Sequence, residues 1–123
     1  MAKYKLEFQL DGLPKTRNRI GARWYQRKAE ADKWKTAVAQ ELARHTLPSK
    51  PIQLSKLTLT RHSSIMPDYD GLVSSFKHII DALIRCGVIE DDKMTNFVGN
   101  HPVYRHEMAP PKCGHIAVIV LEA

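Results

Sequence analysis

A chain of 123 residues with 43% hydrophobic content is the size of one domain with its own core, which excludes a disordered protein. No apolar run reaches the roughly 20 residues of a membrane span, and the start "MAKYKLEFQL" carries no signal-peptide block, so a soluble intracellular protein is expected. The formal net charge of +6 suits an anionic partner.

Residues 3–10 alternate, with Tyr4, Leu6, Phe8 and Leu10 on one face and Lys3, Lys5, Glu7 and Gln9 on the other, which predicts a half-buried strand. Gly, Pro and Asn in "DGLPKTRNRIG" then predict a loop. From about residue 26 to 46, Ala31, Trp34, Val38 and Leu42 recur at i, i+3, i+7 and i+11, an amphipathic helix that ends before the prolines of "LPSKP". Leu57 and Leu59 share a face in a second strand, about 52–62. A second helix starts near Gly71, carries Leu72, Phe76, Ile79, Ile80, Leu83 and Ile84 as its apolar face, and stops at Gly87. Residues 95–107, broken by Gly99 and Pro102, read as a strand or twisted pair. "HIAVIVL", 115–121, reads as a well-buried strand. The expectation is an α+β fold in a single small domain over residues 1–123, order β-α-β-α-β-β, with one mixed sheet and two helices packed on it.

The positive excess lies in one place. Residues 14–35 hold eight basic residues against two acidic ones, and the rest of the chain cancels at eleven of each. Lys15, Arg17, Asn18, Arg19, Arg23, Arg27 and Lys28 stand there beside Trp24 and Tyr25, a pattern that fits a phosphate-backbone footprint. A solvated basic loop and helix face gives the same pattern.

Acids gather instead around the second helix: "MPDYDGLVSSFKHIIDALIRCGVIEDDKM" holds six carboxylates. In an extended segment Asp68 and Asp70, at i and i+2, share a face close enough to share a cation. Laid out at about 100° per residue from Gly71, Asp70, Lys77 and Asp81 fall on one helix edge. Asp91 and Asp92 reach that edge only if the chain folds back. Each feature also has a plain structural reading: Asp70 as an N-cap, "EDD" as a solvated turn, and Lys77–Asp81 as an i, i+4 surface pair. The six histidines form no zinc spacing, and there is no phosphate-binding glycine loop or nucleophile elbow, so no organic cofactor is expected. Cys86 and Cys113 read as free thiols.

The block "PDYDGL…K…IDAL…GVIEDD" resembles the RusA family of Holliday junction resolvases. The N-terminal strand, the loop "LPKTRNR", a basic helix with a Trp and a last short strand extend the likeness over nearly the whole chain. The resemblance implies a homodimeric, Mg²⁺- or Mn²⁺-dependent endonuclease that cuts four-way DNA junctions by paired nicks. Its three metal-site aspartates would fall on Asp68, Asp70 and Asp92, with Asp91 as the alternative to Asp92, and its catalytic lysine on Lys77. The chain departs from the family pattern at Gly71, where Asn is usual, and at Lys77. The lysine stands seven rather than four residues past the second Asp, about 4.5 Å further along a helix, which leaves Lys93 as the alternative.

Overall fold

The computed structural model describes residues 4–13, 23–110 and 115–123. Strand β1 (Lys5–Asp11) buries Leu6, Phe8 and Leu10 and exposes the residues between them, as strict alternation dictates. Helix α1 (Trp24–Leu42) follows, then β2 (Lys56–Ser63), α2 (Tyr69–Ser75), α3 (Lys77–Arg85), β3 (Val103–Met108) and β4 (Ile116–Glu122). The fold is a small α+β domain with the expected element order. The second helical unit comes in two pieces.

The four strands form one mixed sheet in the order β1-β4-β2-β3. The last strand lies inside, antiparallel to both β1 and β2, while β2 and β3 run parallel. Register stacks Leu6 against Leu121, Leu57 against the same Leu121, and Leu59 against Ile119. These side chains share a face with Phe8, Leu10 and Ala117, and form one core with Trp34, Val38 and Leu42 of α1 and with Phe76, Ile79 and Leu83. β4 is less buried than expected. Ala117, Ile119 and Leu121 are buried, but Ile116, Val118 and Val120 on its other face are only half covered. Among the described residues the helices pack on one side of the sheet.

Within α1 the buried stripe includes a residue that apolar periodicity passes over. Glu30 is buried and accepts a 2.9 Å hydrogen bond from the Trp34 indole N–H, so each satisfies the other's buried polar atom. Ala31, expected on the stripe, is only half-buried.

Phe76 divides the second helix at φ −97°, ψ 0°, outside the α-helical well, with its ring fully buried. Asp70 therefore lies on the first helical piece and Lys77 on the second. The far end closes as expected: Gly87 takes φ +77°, its N–H bonds the Ile84 carbonyl, and Val88 N–H bonds the Leu83 carbonyl. This is a Schellman stop, sealed by the buried pair Leu83 and Val88.

The chain then turns back along residues 52–55. Ile52 N–H bonds the Val88 carbonyl, Glu90 N–H the Ile52 carbonyl, Ser55 N–H the Asn96 carbonyl and Val98 N–H the Ser55 carbonyl. The piece expected as a strand or twisted pair, 95–107, is two short 3₁₀ turns, Met94–Asn96 and Val98–Asn100, followed by strand β3. Gly99 and Asn100 both take positive φ, which stops extended pairing there. Among the described residues no helix is long and apolar enough to cross a membrane.

Candidate active site

Asp68, not Asp70, caps α2. Its backbone is extended, and its Oδ1 accepts a 2.7 Å bond from the Gly71 N–H. Asp70 lies in the first helical turn, where the positive end of the helix dipole suits a carboxylate. This corrects the extended Asp-x-Asp geometry: with Tyr69 and Asp70 already helical, the two acids do not project together from one strand face.

Lys77 opens α3, and its ammonium is the meeting point of the acids that follow. Nζ donates to Asp92 Oδ2 at 2.9 Å and lies 3.4 Å from Asp81 Oδ1. Asp81 comes from one turn up the same helix. Asp92 comes from fifteen residues on, carried in by the turn-back after Gly87. The Asp92 hydrogen bond is the main reason that the Lys77 pKa is raised, helped by the Asp81 charge and opposed by partial burial. The same bond holds the Asp92 carboxyl below its usual range. Asp91 accepts from the Asp92 backbone N–H at 2.8 Å and lies 3.9 Å from Lys93 Nζ. Lys77 thus engages Asp92, and Lys93 faces Asp91.

Tyr104 of β3 joins the two halves of this region. Its ring meets Tyr69, which stands between Asp68 and Asp70, edge-on at 6.5 Å, and lies tilted on Phe76 at 6.2 Å. Burial raises its phenol pKa, as do the nearby Tyr69 and Asp92, while Lys77 lowers it. Sequence reasoning missed this residue. Its place follows from the parallel pairing of Tyr104 with Leu59, which leaves no local signal.

All of these donors are hard carboxylate oxygens, the chemistry that Mg²⁺ and Mn²⁺ take. Among the described residues no three His, Cys, Asp or Glu side chains gather closely enough to hold a metal. The donor set still fits Mg²⁺ in its usual protein form, one or two carboxylates completed by water and substrate phosphates. A Ser–His pair also stands in the structure, with Ser63 Oγ 2.8 Å from His106 Nε2. It is no nucleophile and base, because the Ser63 hydroxyl donates its proton to the Ile65 carbonyl at 2.8 Å.

The basic segment is only partly in view. Lys15, Arg17, Asn18 and Arg19 lie outside the described residues, as does Cys113. Arg23 precedes α1 and donates to the Tyr25 hydroxyl at 2.9 Å, with its guanidinium 6.0 Å from that ring. Trp24 and Tyr25 meet edge-to-face and stay 69% and 48% exposed. Arg27 is exposed on the same turns. Lys28 is paired with Asp32 at 3.1 Å. A scan against protein-family models finds no match to this chain, and a search of curated proteins finds none either.

Proposed function

We propose that the protein is a divalent-metal-dependent endodeoxyribonuclease that resolves four-way DNA junctions by paired nicks, acting as a homodimer in the cytoplasm. The observation that carries this reading is the Lys77–Asp92 contact: the turn-back brings the last acid of the acid-helix-acid block, on which the RusA resemblance rests, to the lysine inside it. The resemblance names Asp68, Asp70 and Asp92 as the ligands of Mg²⁺ or Mn²⁺; as no three such groups gather among the described residues, one or two of these carboxylates would hold the metal together with water and substrate phosphates. The metal, when bound, polarises the scissile phosphate and acidifies a bound water. Lys77 places a half-exposed ammonium beside that site. With phosphate present it can donate to a phosphate oxygen in place of Asp92, and so offset charge that develops in the transition state. Arg23, Arg27 and the exposed rings of Trp24 and Tyr25 would hold a junction arm through phosphates and stacking, together with Lys15, Arg17, Asn18, Arg19 and Lys28. Two symmetric cuts call for two sites, which a twofold dimer supplies.

One observation favours a second reading. Asp92 is already neutralised by Lys77, which would suit a protein that binds junctions without cutting them. A synthetic four-way junction separates the two. Mg²⁺-dependent nicking that is lost in Asp70→Asn, with binding retained, supports the nuclease. Binding of the junction with no nicking in any divalent metal rejects it and selects the second reading.

A further inference from the structure

Helices α1 and α3 pack side by side and leave a groove of about 280 Å³ between them. Asp32 and Lys35 line it from α1, and His78, Asp81 and Arg85 from α3. By formal charge the lining is nearly balanced, but its pairing is one-sided. Both carboxylates are engaged by lysines from outside the groove: Asp32 by Lys28 at 3.1 Å, and Asp81 by Lys77 at 3.4 Å. Lys35 and Arg85 have no ion pair among the described residues. The groove is therefore effectively cationic, with a guanidinium on one wall, an ammonium on the other, and the ring N–H of His78 between the helices. A planar fork opposite a point charge suits an anion with several oxygens. Asp81 belongs to both places, since Lys77 spans Asp81 and Asp92, so the groove opens directly beside the candidate active site.

We infer that the α1–α3 groove is a phosphate subsite for a DNA strand running away from the candidate active site, with Lys35 and Arg85 as the two contacts. This rests on the reading of the protein as one that acts on DNA. It adds residues of α3 to a footprint that composition places wholly before residue 36.

The test is equilibrium binding of a dye-labelled four-way junction and a labelled linear duplex, without divalent metal, across a range of salt concentration. Replacing Lys35 and Arg85 together by Ala should weaken binding and lower the slope of log K against log salt by about 1 to 2, from a loss of roughly 0.9 per phosphate contact. Lys35→Arg with Arg85→Lys should keep the slope. Asp32→Asn should act in the opposite sense and tighten binding, because it removes an anion from the groove and frees Lys28. A double-alanine slope equal to wild type, or no tightening in Asp32→Asn, overturns the subsite and leaves the nuclease reading standing. Slopes that change as expected in a protein that never nicks support the subsite and overturn the nuclease reading. A wild-type protein that binds neither DNA overturns both.

Discussion

Lys77 has a carboxylate at 2.9 Å and another at 3.4 Å, whereas Arg23 meets the hydroxyl and the ring of Tyr25, with the exposed ring of Trp24 next to it. The first cation is held in place by one acid from the next turn of its own helix and one from the segment that turns back after it. The second is held by aromatics and keeps its charge toward solvent. A site for chemistry needs a charge in a defined position beside potential metal ligands, while a footprint for a polyanion needs charge left unneutralised. Net charge alone does not tell these apart. Pairing does.

The contrast is sharpest in the variant expected to have the largest effect. Lys77→Met keeps the stem's packing and helix propensity and removes the charge. Single-turnover nicking of a four-way junction should fall roughly 10²–10³-fold, as when other charge-stabilising donors are removed. A thermal melt should show under about 1 kcal/mol lost, because the ion pairs are largely exposed. Nicking at the wild-type rate would move the catalytic role to Lys93.

Arg23 and Arg27 should behave the other way round. Their joint replacement by Ala should weaken junction binding and flatten its salt dependence by up to about 2 in slope, while the single-turnover rate at saturating protein stays near wild type. A lowered rate at saturation would place these residues in the chemistry and dissolve the contrast.

Asp68 separates structural from chemical duty within one residue. Asp68→Ala removes the 2.7 Å cap bond and should cost about 1 kcal/mol in a denaturant melt. Asp68→Asn keeps a capping oxygen and should melt close to wild type, yet lose metal-dependent nicking. An Asn variant that nicks normally would leave the cap as the only duty of Asp68.

The smallest effect is the pH dependence of the Lys77–Asp92 pair. The folded pKa of Asp92 is depressed, so its contribution is present above the unfolded carboxyl value, about 3.9, and is lost as pH falls through the folded value. That of Lys77 is raised, so its contribution is complete below about 10.4 and is lost as pH rises through the folded value. Between those limits the pair should add a constant increment of under about 1 kcal/mol, consistent with its exposure. Stability of Asp92→Asn subtracted from wild type should be flat from about pH 5 to 9 and shrink on either side. A difference that slopes through neutral pH would show that another group titrates with the pair.

Local rules carried much of this protein. Alternation in β1, the Trp34–Val38–Leu42 stripe of α1 and the Gly87 stop each depend on neighbours within a few residues, where periodicity and backbone freedom act directly. The Lys77–Asp81 pair is legible for the same reason, being one helical turn long. What needed the tertiary structure was everything set by distant partners. Phe76 interrupts its helix while its ring is fully buried in the shared core, so the second helix comes as two pieces, with Asp70 on one and Lys77 and Asp81 on the other. Asp92 reaches Lys77 because residues 88–98 hydrogen-bond to residues 52–55, a pairing some forty residues apart in sequence that no spacing rule encodes. Tyr104 reaches Tyr69 through a parallel register with β2, and the cationic character of the α1–α3 groove depends on which lysine neutralises which aspartate. Composition counts charges. Only packing decides which of them are left over.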